Sequence, residues 1–248
     1  MTLNFSELKA RVSHKEHLTI NDVVDILRSG PGAKFALVEL AAQQRTEFFG
    51  REITIANLLG AAPLSDIPQV VVTVADAEDD QTLAHKLMDA AEELESLTHG
   101  QSGQLVLDFL PVHKVSDAAQ ALSPMRAVGV LVALRLLIGS HSLFLRQQRV
   151  QRLQSLQSLG LHVIDTLILE QNQENASLSV FEDFVSIRNA RLEISGVQGR
   201  DIVEEYISFF ESQGDSDARS YAEVLLGDQE SSGGGCGGNC GCGSGGCG

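Results

Sequence analysis

Positive charge is scarce in this sequence. Its 18 Lys and Arg face 33 Asp and Glu, a formal net charge of −15 over 248 residues. Like charges repel, and no counterion release would drive association. Nonspecific binding to nucleic acid or to an anionic membrane is therefore not expected. Long apolar runs are missing as well. The nearest approach, Ala127 to Leu145, carries Arg135 and His141 and is flanked by Arg126 and Arg146. A membrane span of about 18 or more apolar residues is thus a poor reading. The opening Met1-Thr-Leu-Asn-Phe-Ser-Glu lacks a basic stretch followed by an apolar one, so no secretory signal is read and a cytoplasmic protein is expected. No G-x-x-x-x-G-K-[ST], G-x-S-x-G or H-E-x-x-H occurs, which removes the commonest signatures of phosphate-loop, hydrolase and zinc-protease chemistry.

Cysteine is absent from the first 235 residues. Cys236, Cys240, Cys242 and Cys247 all fall in the last thirteen. Disulfides that staple a fold would be spread through it, and a cytosol would reduce them. The thiols therefore do not hold the body together. Residues 233–248 contain ten glycines among sixteen residues. Glycine has no side chain to bury and loses the most freedom on ordering, so a flexible, disordered tail is predicted. Thiolates are soft ligands suited to zinc, copper(I), nickel or an iron–sulfur cluster. The spacing C-x3-C-x-C-x4-C departs from the paired C-x2-C of a structural zinc ribbon. It points to thiol–metal chemistry at these four residues without choosing the metal. The bland alternative is a linker with incidental thiols.

The body reads as alternating helix and strand. Thr19 and Asp22 form a capping-box pattern opening a helix that Ser29-Gly-Pro-Gly stops. A second helix covers Ala33 to Gly50, and Glu52 to Ile55 is a short strand. Val70 to Ala75 is a β-branched run suited to burial on both faces. Asp79 or Asp80 caps the next helix, and Gln104 to Leu110 is a further strand. Ser123-Pro124 opens a long helix through Ile138. Ser142 to Leu145 reads as strand, Arg146 to Leu159 as helix and Leu161 to Leu169 as the fifth strand. The remainder to Leu226 reads as helix, broken near Gly196 to Gly199. Strands separated by helices imply a parallel sheet. The expected fold class is α/β, a partial (β/α) barrel or an open parallel sheet with helical N- and C-terminal segments. Residues 1–58 would form the leading helices and first strand, 59–230 the βα units with the C-terminal helices, and 231–248 the tail.

One basic feature stands against the acidic whole. Arg146, Arg149 and Arg152 recur every three residues just after a strand. They are expected to share a helix face at the C-terminal rim of the sheet, where α/β proteins bind ligands. The competing reading is a set of surface arginines paired with carboxylates. The acidic cluster Asp76, Glu78, Asp79 and Asp80 is expected to be a solvated helix start, and the seven histidines are scattered.

Three stretches carry a family resemblance. Leu18 to Leu27 with Leu37 to Gly50 and Ile53 to Leu59 resembles the helices that precede the first barrel strand of biotin synthase and its relatives among the radical S-adenosylmethionine enzymes. Leu105 to Val112 with Ser123 to Ile138 is similar to a late strand and helix of that family. Leu143 to Arg149, on to Gly160-Leu-His-Val-Ile164, is similar to its last barrel strand. The resemblance implies a (β/α) barrel and assigns Arg149 to the position of a cofactor-binding arginine. The family places C-x3-C-x2-C after its first strand to hold a [4Fe–4S] cluster. This chain reads Gly60-Ala-Ala-Pro-Leu-Ser-Asp66 there, and alanine cannot ligate iron. A degenerate, truncated relative is therefore expected, non-catalytic and not using S-adenosylmethionine. Its tail would bind or deliver an iron–sulfur cluster or soft metal ion to a protein partner, such as a radical S-adenosylmethionine enzyme. Two alternatives stay open. The tail is the substrate of a modifying enzyme and the chain a modified-peptide precursor, or the tail cysteines fold back as cluster ligands of a working enzyme.

Overall fold

A computed structural model describes residues 4–14, 16–61, 67–76, 78–110, 122–171 and 174–227. Three helices lead: α1 (Phe5–Ser13), α2 (Ile20–Arg28) and α3 (Pro31–Phe49). The α2 start is the expected capping box. The Thr19 side chain accepts from the Asp22 backbone N–H, and the Thr19 N–H donates to Asp22 at 2.7 Å. Then follow β1 (Glu52–Ile55), β2 (Gln69–Val74), α4 (Asp80–Thr98), β3 (Gln104–Phe109), α5 (Pro124–Ile138) and β4 (Ser142–Gln147). Next come the short α6 (Arg149–Leu153) and α7 (Gln157–Leu161), β5 (Thr166–Leu167) and α8 (Ala176–Asn189). The described chain closes with β6 (Glu193–Ile194), α9 (Ile202–Ser212) and α10 (Ala218–Leu226).

The six strands form one open sheet in the order β2-β3-β4-β5-β1-β6, and every pairing is parallel. From β2 to β5 the chain steps to the neighbouring strand through a helix each time, as in an arc of a (β/α) barrel. The first strand does not start that arc. It lies between β5 and β6, and the next strand, β2, is at the far edge of the sheet. Alternation along the strands separates two faces. Val70, Leu105 and Leu143 are in register, as are Val72, Leu107, Leu145 and Leu167. These side chains are buried in one apolar core with Leu83, Leu87 and Leu94 of α4 and the residues of α5. The other face carries Gln69, Thr73, Gln104, Asp108, Ser142 and Thr166 together with the buried Val106 and Phe144, and Val71 is half exposed. A helix layer on one side and a mixed polar and apolar face on the other is the arrangement of an incomplete barrel.

At the N-terminal end of the strands, buried cations replace missing ladder bonds. The guanidinium of Arg135 is fully buried. It donates to the carbonyls of Val163 (2.9 Å), Gly139 (3.2 Å) and His141 (2.9 Å) and to Asp165. Asp165 accepts in turn from the Leu143 N–H at 2.7 Å. Arg45 serves Ile164, Gly50 and Glu52 in the same way. These groups satisfy backbone carbonyls that a buried strand end would otherwise orphan.

Four local expectations are revised. Helix α1 was not foreseen. The helix expected over Arg146 to Leu159 starts later, because β4 runs on to Gln147. Gln148 then turns the chain with a left-handed φ of 63°. The nine-residue strand expected over Leu161 to Leu169 pairs only at Thr166–Leu167, and Leu161 ends α7. The Asn57 amide extends that ladder, with Nδ2 donating to Leu169 O at 3.0 Å and Oδ1 accepting from Leu169 N at 2.9 Å. Finally, β6 interrupts a stretch read as helix.

Candidate functional site

The C-terminal rim is where an incomplete barrel binds ligands, and the structure brings the singled-out arginines there. They do not share a helix face. Arg146 belongs to β4, whereas Arg149 and Arg152 belong to α6. Each meets its own carboxylate. Arg146 pairs with Asp108 across the β3–β4 register, with Nε 3.0 Å from Oδ1. Arg149 reaches Asp183 of α8 and Gln157, each at 2.5 Å. Arg152 pairs with Asp76 just beyond β2 and donates to Leu110 O. The expected pairing with carboxylates therefore holds; Arg146 is partly exposed, whereas Arg149 and Arg152 are buried, 1% and 2% exposed.

Glu170, three residues beyond β5, completes the constellation. Its carboxylate accepts the backbone N–H of Arg149 and, at 3.4 Å, that of Val150. It thereby holds the first turn of α6, where a negative charge is favoured. Burial raises its pKa, opposed by Arg149 and the two N–H bonds. Burial also raises Asp183, and its pairing with Arg149 only partly offsets this. Asp76 moves the other way. Burial works to raise it, but the hydrogen bonds from Arg152 and the Leu122 N–H outweigh that and leave it lowered. Among the described residues, Arg149 Nε, Arg152 Nε, Gln148 Oε1 and Asp183 Oδ2 are buried with no hydrogen-bond partner. The rim is a nearly closed network of paired charge with a few unfilled valences.

The remaining acidic residues singled out in the sequence are also committed. Asp79 caps α4, accepting from the N–H groups of Gln81 and Thr82 at 3.0 Å. Glu78 pairs with Lys86, and Asp80 with Arg28 and Arg126. Sequence reasoning missed Glu170 and Asp183, which lack any motif. It missed Lys34 too, a buried ammonium on α3. Lys34 donates to Ile26 O (2.5 Å) and Leu27 O (3.2 Å), capping the C-terminal end of α2. Burial lowers its pKa to about 8, with Asp80 opposing and Arg126 assisting. The signal available was a lysine three residues past the Gly30-Pro31 stop, within reach of the preceding helix end.

No protein-family model matches the chain, and no curated protein is similar to it in sequence. Among solved structures, the chain is similar to the X-ray structure of the FeFe-hydrogenase maturase HydG from Carboxydothermus hydrogenoformans. The TM-score is 0.50 at 8% identity, over 90% of this chain and 88% of that one. At that identity the likeness concerns fold alone. It supports an α/β body built on a parallel sheet with helices.

The residues of the body do not fit a cluster. Such a centre needs thiolates, and the first 235 residues contain none. Among the described residues no three His, Cys, Asp or Glu side chains converge to hold a metal ion. Positions 62–66, where the family would place cysteines, and Cys236, Cys240, Cys242 and Cys247 lie outside the described residues. No helix of the described residues is long and apolar enough to cross a membrane.

Proposed function

We propose that this chain is a non-catalytic member of the radical S-adenosylmethionine fold class that binds a soft metal or iron–sulfur species through Cys236, Cys240, Cys242 and Cys247 and passes it to a protein partner. The observation that carries the reading is a division of labour along the sequence. The folded body has a barrel-type architecture with no thiol, and its rim arginines are neutralised internally by Asp76, Asp108 and Asp183. All soft-ligand chemistry is concentrated in the glycine-rich final residues. A tethered ligand set suits transfer, because the tether raises its effective concentration at a docked partner. Arg149 belongs to the body's framework in this reading, although the family resemblance gives it a cofactor position.

To test the proposal, the full chain is loaded anaerobically with iron(II) and sulfide, then mixed with an apo-ferredoxin acceptor. Transfer of iron to the acceptor is expected, and its loss when all four cysteines are changed to serine. Equal transfer by the two proteins would refute the proposal. The modified-peptide alternative draws on the Gly, Cys and Ser244 content of the same segment. It predicts losses of water or hydrogen confined to residues 233–248 in the intact mass of the native protein.

A further inference from the structure

A large concavity lies at the opposite end of the sheet from the rim. It is a groove of about 970 Å³ between the end of α1 and the C-terminal halves of α3, α4 and α5. Its floor is apolar: Leu18, Leu40, Leu136 and Ile138 are buried there, with Met88 and Phe48 on its walls. Its rim is of one sign. Glu16, Glu47, Glu92 and Glu95 line it, and no lysine or arginine does among the described residues. Glu95 meets His141 Nε2 at 3.0 Å. Glu16, Glu47 and Glu92 pair with no cation among the described residues.

The backbone adds to this field. Helices α3, α4 and α5, of 19, 19 and 15 residues, all direct their C-terminal ends to the groove. A helix C-terminus carries roughly half a negative charge, which proteins commonly offset with a basic residue in the last turn. Neither α3 nor α4 has one. Buried arginines offset two of these ends, Arg45 donating to Gly50 O beyond α3 and Arg135 to Gly139 O beyond α5, which leaves the α4 end without a cation among the described residues. The wall also presents Gln44 Oε1, a buried acceptor with no donor among the described residues. Carboxylates, the α4 C-terminus and a free acceptor all call for cationic donors, while the floor calls for apolar side chains.

We propose that this groove docks a basic amphipathic segment of a partner protein, with leucine- or isoleucine-like side chains on the floor and lysines or arginines against Glu47, Glu92 and Glu95. The volume is that of a site for a few side chains rather than a whole domain, and the mode is that of an amphipathic segment laid in a groove. It stands independently of the tail's metal chemistry.

The test uses the full chain and a short labelled Leu/Lys amphipathic peptide, followed by fluorescence anisotropy at physiological ionic strength. Saturable binding is expected. The triple variant Glu47→Gln, Glu92→Gln, Glu95→Gln should weaken it roughly tenfold or more. The triple variant Glu182→Gln, Glu193→Gln, Glu223→Gln removes the same charge from exposed positions elsewhere and should weaken it less than twofold. Peptide binding should also slow amide exchange over residues 43–48 and 91–96. Equal weakening by both variants would mean attraction to net charge alone and would overturn the proposal. So would equal affinity for a Leu/Glu peptide, or spermine binding as tightly as the peptide. A groove closed by a second copy of the chain, seen as a dimer that the first variant dissociates, would overturn it as well.

Discussion

Replacing Arg149 with methionine distinguishes a framework arginine from one held in reserve for a ligand. In the folded chain its guanidinium is 1% exposed and bonded to Asp183, itself 5% exposed, and to Gln157. Methionine fills much of the same volume but leaves Asp183 buried and without its cation. Breaking a buried pair from one side costs about 3–5 kcal/mol. For a chain of this size 1 kcal/mol moves the melting temperature by about 2–4 °C, so a fall of roughly 6–20 °C is expected. The double variant Arg149→Met, Asp183→Leu removes both charges and should recover most of that loss, because a well-packed apolar pair often equals a buried ionic one. The pH dependence has a defined sign. Burial already raises the Asp183 pKa above that of the unfolded chain, and without Arg149 it rises further. A folded pKa above the unfolded one favours the folded state as pH falls. The deficit of the single variant should therefore shrink as the pH falls from about 7 to about 5. Urea unfolding of the three proteins at several pH values measures all of this. A single variant as stable as the parent at pH 7 would refute the framework assignment.

Lys34 gives the opposite pH signature. Its pKa falls from 10.5 unfolded to about 8 folded, so between those values the unfolded chain holds the extra proton. Stability from this group then rises with pH by up to ~3 kcal/mol. Lys34→Met should remove that slope in urea titrations across the same range. Gly129→Ala would set a Cβ 2.5 Å from Lys34 Nζ, driving the ammonium off the α2 carbonyls at a cost of about 1–3 kcal/mol. That cost should fall in the Lys34→Met background, as a double-mutant cycle would reveal. Asp79→Ala removes the α4 cap and should cost ~1 kcal/mol by thermal unfolding.

The parts of the fold that could be read from the sequence are those set by local chemistry. Thr19 with Asp22, Ser123 with Pro124, and the β-branched run at Val70 each act within one turn or one strand, and each element formed where expected. The expected open parallel α/β sheet is also the observed one. What escaped depends on distant partners. The strand expected over Leu161 to Leu169 is cut to Thr166–Leu167 by its pairing with β1 and β4, and Glu193–Ile194 is a strand because β1 lies beside it. Likewise the threefold arginine spacing suggested a helix face. The register of β4 with β3 instead drew Arg146 into the sheet and onto Asp108. Asp183 and Glu170 lie 34 and 21 residues from Arg149, a separation that no spacing rule links. Composition reached furthest on the thiols, since their exclusion from the body is visible without any coordinates.

The proposed function requires soft-metal chemistry in the final residues and not in the folded body. Iron and sulfide content after anaerobic reconstitution, measured on the full chain and on the variant with Cys236, Cys240, Cys242 and Cys247 all changed to serine, tests it most directly. Bound iron and a thiolate-to-iron absorption band are expected in the first protein and neither in the second. Equal iron in both, or none in either, would contradict it.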